Sequence, residues 1–213
     1  MTNSPRVILA YSGGLDTSVA IPWIKERFGL DVVTLTLELG QGRDLEEARQ
    51  KALKSGAVGA HIADVREEFV TEFVWPALRA GALYEGKYPL ATALSRPLIA
   101  QQLADLAITE EATAVAHGCT GKGNDQVRLE LGILALAPDL KVIAPAREWG
   151  MSREDEIEYA KARGISTPVS VENPYSVDEN LWGRSIEAGR LEDPLFEPPE
   201  EIYAWTKSVN ETP

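Results

Sequence analysis

The sequence predicts an α/β fold, a parallel sheet with helices on both faces, followed by an irregular acidic carboxy-terminal extension. Three observations predict it. Strand-like apolar runs alternate with helical stretches at least five times, the pattern of strands joined by helical crossovers. The first run, Val7-Ile8-Leu9, is continuously apolar, as suits a strand buried on both faces. Two glycine-rich turns each follow a strand and precede a helix, so both belong on the rim where such sheets present ligands. The regular part is read as residues 1–167 and the extension as 168–213.

The elements follow in order. After the first strand, residues 16–28 form a helix ending near Gly29, with Pro22 demanding a tight first turn or a kink. Residues 31–39 are the second strand, closed by Gly40-Gln41-Gly42. Asp44 and Glu47 cap a helix that reaches Ser55. Residues 58–63 make a short third strand with Asp64 at its end, and 66–80 a helix whose Phe69, Phe73 and Trp75 read as core. The stretch 81–94 carries Tyr84, Lys87, Tyr88 and Thr92, with Ser95 and Arg96 just beyond. It suits either a substrate loop or a plain connector. A helix over 97–108, a strand over 113–116, a helix over 125–136, a strand over 141–144 and a helix over 152–163 complete the alternation. From Pro168 onward regularity fades into an expected extended linker. Residues 172–201 hold nine acids against two arginines, a net of −7 out of −12 for the chain.

That negative balance, with a pI near 4.7, argues against a nucleic-acid grip, which needs clustered Lys and Arg. Cys119 is the single cysteine, so no intrachain disulfide forms and a reducing compartment is expected. No apolar run approaches the ~20 residues that span a bilayer, and Met1 to Arg6 lack an apolar signal core, so a cytoplasmic location is expected. His61 and His117 have no partners at metal-ligand spacing, and no metal site is predicted.

The first turn is Ser12-Gly13-Gly14-Leu15-Asp16-Thr17-Ser18. Its glycines let an anion approach the backbone, while hydroxyls and helix-start amides converge on one spot, so a phosphate chain is the expected occupant. Neither G-x-G-x-x-G nor G-x-x-x-x-G-K-[ST] is present. The bland alternative is a strand–helix turn with Asp16 as an ordinary first-turn acid. The second turn is His117-Gly118-Cys119-Thr120-Gly121-Lys122-Gly123-Asn124-Asp125. Lys122 and the amides favour an anion, and Asn124, Asp125 and Arg128 suit an amino acid's charged groups; a capped glycine loop is the alternative. Cys119 reads as a small neutral loop residue more readily than as a reactive thiol.

The first turn resembles the pyrophosphate-binding motif of the ATP pyrophosphatases. The chain as a whole resembles one of their families, the argininosuccinate synthases. The likeness rests on Ala10 to Ser18, Leu39-Gly40-Gln41, Ala82-Leu83-Tyr84-Glu85, Tyr88-Pro89-Leu90, Ser95-Arg96-Pro97-Leu98-Ile99-Ala100, Thr120 to Arg128, Ser176 to Leu181 and Pro198-Pro199-Glu200-Glu201. The resemblance implies an adenine nucleotide alpha hydrolase-like, Rossmann-like fold. It also implies joining L-citrulline to L-aspartate, with ATP split to AMP and pyrophosphate through citrullyl-AMP and Mg²⁺ assisting. ATP would meet Ala10, Tyr11, Ser12, Gly13, Gly14, Leu15, Asp16, Thr17, Ser18, Leu37 and Gly118. Aspartate would meet Thr120, Asn124 and Asp125; citrulline would meet Tyr88, Thr92, Asn124, Arg128, Ser176 and Ser185. Asp16 and Lys122 are the candidate catalytic charges. An acid beside a polyphosphate must be compensated, by amide bonds or by magnesium, which are the two roles expected for Asp16.

Two departures from the family pattern stand out. Ala93 occupies a position where a serine is usual, leaving Thr92 or Ser95 to supply the hydroxyl. Family members also continue for roughly as many residues again, into a synthetase domain and a tail that forms a homotetramer, so this chain is expected to be the nucleotide-binding half. Two other readings stay open: a different ATP pyrophosphatase, and a nucleotide-binding module without catalysis.

Overall fold

Val7 and Leu9 point to one face of the first strand and Ile8 to the other, and all three are fully buried because helices cover both faces. The computed structural model describes residues 4–42, 44–121, 123–166, 175–187, 189–208 and 211–212. In it β1 (Arg6–Ala10), β2 (Asp31–Glu38), β3 (Gly59–Asp64), β4 (Ala114–Ala116) and β5 (Lys141–Ile143) form a parallel sheet ordered β3-β2-β1-β4-β5. On one face, Ile8, Val33, Leu35 and Val115 pack with Phe69, Leu98, Leu103 and Ile133. On the other, Val7, Leu9, Val32 and Ala114 pack with Ala20, Ile21 and Ile24.

Helix α1 (Leu15–Phe28) runs through Pro22 without interruption and stops at Gly29, whose left-handed φ lets its amide bond back to Lys25. Helix α2 (Leu45–Lys54) is capped by Asp44, which accepts from the amides of Glu46 and Glu47. The 66–80 stretch is one helical path in three pieces: α3 (Arg66–Glu68), a π-helical segment (Phe69–Val74) and α4 (Trp75–Arg79). Pro76 has no amide to donate, and the wider turn before it shifts the helical phase. Phe69 is therefore fully buried, but Trp75 is 50% exposed and not part of the core.

Helix α5 (Ala91–Thr109) begins six residues before Pro97, further upstream than its sequence suggests. Ser95 closes its first turn by donating to the Thr92 carbonyl at 2.8 Å. Helix α6 (Asp125–Leu136) has the predicted bounds. A short α7 (Pro145–Glu148) precedes α8 (Arg153–Ala162), which opens with a Ser152–Asp155 capping box.

The carboxy-terminal region differs from the expected irregular extension. β6 (Ser176–Asn180) and β7 (Gly183–Glu187) form an antiparallel hairpin. Asn180 organises it. The buried side chain donates to the Ala91 carbonyl at 2.9 Å and accepts from the amides of Trp182 and Gly183. Trp182 Nε1 donates to the Pro89 carbonyl at 2.7 Å, and Leu181 N to the Leu39 carbonyl at 2.8 Å. The hairpin thus sits on the carboxyl rim of the sheet, between the end of β2 and the start of α5. Its strands look irregular in sequence because their inner face meets polar groups rather than an apolar core.

Candidate functional site

The β1–α1 turn is held from several sides. Gly13 takes φ +77°, a conformation that L side chains rarely adopt. Ser18, fully buried, donates to the Gly14 carbonyl at 2.7 Å and lies 2.9 Å from the Tyr11 hydroxyl. Burial of Tyr11 raises its pKa. Thr36 Oγ1 donates to the Tyr11 carbonyl, and Lys51 Nζ reaches the Gly13 carbonyl at 2.6 Å. Partial burial lowers the Lys51 pKa. Ser12 Oγ accepts from Gly14 N and lies 3.3 Å from Thr17 Oγ1. Ala10 ends β1, Leu15 roots α1 in the core, and Leu37 is buried near the end of β2.

Among the described residues, no backbone amide donates to the Asp16 carboxylate. Instead Arg153 Nη1 lies 2.5 Å from its Oδ1. The same nitrogen is 3.7 Å from Glu156 Oε2, an atom without a hydrogen-bond partner among the described residues, in a side chain largely withdrawn from solvent. Burial first, and then the neighbouring Asp16, push the Glu156 carboxyl up to about 8.

The second turn lies beside the first because β1 and β4 are neighbours, with Leu9 paired to Ala116. Behind it His117 is buried, its Nδ1 accepting from Cys119 N and its Nε2 facing Glu130 at 3.2 Å. The acceptor role of Nδ1 leaves Nε2 to carry the proton. Burial lowers the His117 pKa, and burial pushes the Cys119 thiol up to about 11. Thr120 and Asn124 are exposed, and Asn124 N-caps α6 without a side-chain capping bond. Asp125 accepts from Arg128 at 2.7 Å and from Arg96 Nε at 3.0 Å. Lys122 lies outside the described residues.

A third group forms where the hairpin meets α5. Thr92 Oγ1 donates to Ser185 Oγ at 3.1 Å, Tyr88 OH is 3.3 Å from the same oxygen, and Thr92 N donates to Tyr88 OH. Three of the residues singled out for citrulline are therefore in mutual contact. Ser95 is buried with its hydroxyl on the Thr92 carbonyl, so Thr92 is the one that joins the cluster at the turn where Ala93 lacks a hydroxyl. Ser176 is exposed at the open end of β6, on the hairpin face shared by Asp178 and its partner Ser185.

Residues 6–166 match the family model described as the arginosuccinate synthase N-terminal HUP domain, and residues 175–213 match the arginosuccinate synthase C-terminal domain. The chain belongs to the argininosuccinate synthase family. Argininosuccinate synthase of Dehalococcoides mccartyi is 59% identical over 210 residues, covering 99% of this chain and 52% of that protein. That of Geobacillus sp. is 61% identical over 213 residues, covering 100% and 52%. The chain spans about half the length of these relatives. Among solved structures, a predicted tRNA methyltransferase subunit from Methanocaldococcus jannaschii aligns with a TM-score of 0.50 at 19% identity, covering 74% of this chain and 76% of that one. A likeness at that identity is one of fold.

Within an argininosuccinate synthase framework, three contributors escaped the sequence reading: Lys51, Arg96 and Arg153. Each comes from a helix distant in sequence from the turn it touches. No local motif surrounds Lys51 or Arg153. Arg96 stands in the Ser95–Ala100 motif beside the possible substrate loop, but its pattern points to no ligand of its own.

Proposed function

We propose that this chain forms the substrate face of an argininosuccinate synthase, which joins L-citrulline to L-aspartate and converts ATP to AMP and pyrophosphate. The observation that carries this reading is the meeting of the two glycine turns: Gly118 lies against Thr17, with the Tyr88–Thr92–Ser185 cluster and the Asn124–Asp125 helix start on the same rim. Hydroxyls and amides from Ser12 to Ser18 would hold the β- and γ-phosphates, and the adenine would lie towards Leu37. Magnesium would enter as part of MgATP. The described residues contain no cluster of three or more His, Cys, Asp or Glu side chains able to hold an ion.

In this reading the ureido oxygen of citrulline attacks the α-phosphorus, forming an O–P bond as the bond to pyrophosphate breaks. The aspartate amine then attacks the ureido carbon of citrullyl-AMP, AMP departs with the C–O electron pair, and the amine loses a proton. The chemistry asks for alignment and charge neutralisation rather than a protein nucleophile. Tyr88, Thr92, Ser176, Ser185 and Arg128 would orient citrulline; Thr120, Asn124 and Asp125 would orient aspartate. Asp16 and Lys122 would act on the charge of the departing phosphates. Asp16 would do so through its pairing with Arg153, which offsets its own charge.

We assign the complete protein to the cytoplasm as a homotetramer without nucleic-acid or membrane partners. The acidic balance supports the lack of a nucleic-acid partner, the tetramer follows the family resemblance, and no helix among the described residues is long and apolar enough to cross a membrane. The test is mass-spectrometric product analysis with MgATP, citrulline and aspartate, each amino acid omitted in turn, for this chain and for a version extended to the relatives' length. Argininosuccinate and AMP that require both amino acids are expected from the extended protein. AMP release indifferent to both would overturn the reading.

A further inference from the structure

Arg96 joins three elements. It projects from α5 with its side chain only 15% exposed, and its Nη2 meets Asp178 in the middle of β6. The same nitrogen is 2.9 Å from Asp125 Oδ2 at the start of α6, and Nη1 donates to Ser95 Oγ at 3.3 Å. The hairpin's other anchors, through Asn180, Leu181, Trp182 and Ser185, go to residues 88–92 around the start of α5 or to Leu39 just past β2, and Arg184 donates to the Ile202 carbonyl. Among the described residues, no other hydrogen bond or ion pair links the hairpin to α6. Asp178 and Asp125 face each other across this guanidinium, so without it two partly exposed carboxylates would repel across one gap. A largely buried arginine between two carboxylates holds its geometry as a set; removing it takes this cation from Asp178, while Asp125 keeps Arg128.

We propose that Arg96 is a positioning residue that latches the β6–β7 hairpin onto the start of α6, making the two amino-acid surfaces one cooperative unit. One surface carries Tyr88, Thr92 and Ser185; the other carries Asn124 and Asp125. A ligand that orders either surface stabilises the latch, and the other ligand then binds a surface already in place. That coupling is reciprocal by necessity. The identity of the two ligands rests on the synthase reading; the latch does not.

The experiment is amide hydrogen exchange on residues 176–187 in the wild-type chain and in Arg96→Gln, Arg96→Lys and Asp178→Asn, followed by calorimetric titrations with citrulline, aspartate and a non-hydrolysable MgATP analogue. Arg96→Gln is expected to speed hairpin exchange about tenfold or more while β1 and α1 stay protected. Arg96→Lys should behave similarly, because an ammonium cannot fork to both carboxylates. Asp178→Asn, which leaves the Arg96–Asp125 pair intact, should reproduce much of the effect, and adding it to Arg96→Gln should bring little more. Mutual tightening of citrulline and aspartate should vanish in Arg96→Gln with affinity for the nucleotide analogue unchanged. Wild-type hairpin protection in both Arg96→Gln and Asp178→Asn would overturn the latch. Absence of amino-acid binding by the wild-type chain would overturn the ligand reading, with hairpin exchange still deciding the latch.

Discussion

Gly118 lies against Thr17: a Cβ built on the glycine would sit 3.0 Å from the threonine Cγ2. Two turns separated by a hundred residues of chain are thereby in van der Waals contact, and the Thr17 side chain is confined between Gly118 and the Ser12 hydroxyl. Gly118→Ala must displace Thr17. Affinity for MgATP should fall by about five- to tenfold, the equivalent of roughly 1 kcal/mol of overpacking, with little change in melting temperature. Calorimetric titration against wild type checks it, and unchanged affinity would show that this contact does not shape the proposed phosphate site.

Gly40 stands under a second constraint. It has φ +86°, and a Cβ there would fall 2.5 Å from Leu181 Cγ and Cδ2. Gly40→Ala should therefore destabilise the protein by about 1–3 kcal/mol, combining backbone strain with a clash. Urea denaturation measures the loss. Adding Leu181→Ala should recover the steric part and leave the strain.

Glu156 predicts a pH dependence. Its carboxyl titrates at about 8 when folded against an ordinary value of 4.5, so the folded state holds a proton that the unfolded chain has released. This contribution is fully favourable below about pH 4.5, declines as pH rises, and is lost by the time the folded group ionises near 8. Glu156→Gln should flatten the melting temperature across that range and stabilise the protein at pH 8 by on the order of 2 kcal/mol. A wild-type profile unaltered by the substitution would show that Glu156 is not the titrating group.

Cys119 should be slow to react. With its thiol pushed up to about 11 by burial, little thiolate exists at pH 8. Alkylation by iodoacetamide, followed by mass spectrometry, should run at least about tenfold slower than for a small-molecule thiol and accelerate on denaturation.

Much of the architecture was legible because local pattern and tertiary role agree. Val7-Ile8-Leu9 announces a doubly covered strand, Asp44 caps the helix it precedes, and Gly29 ends α1. The hairpin was hidden because Asp178, Asn180 and Ser185 face polar partners on α5, so its strands lack the apolar alternation that marks a half-buried strand. Trp75 misled because helical periodicity assumes a constant phase, which the π-helical segment before Pro76 breaks. Arg153 and Lys51 were invisible for a different reason: compensation of Asp16 and support of Gly13 come from residues 137 and 38 positions away.

The sheet order carries a consequence of its own. From β1 the chain winds outward through β2 to β3, then returns to lay β4 along the opposite side of β1 and continues away to β5. The connections after β1 and β4 therefore diverge, and a crevice opens between them at the strand ends. Because the path of the backbone creates it, no single side-chain replacement can close that crevice.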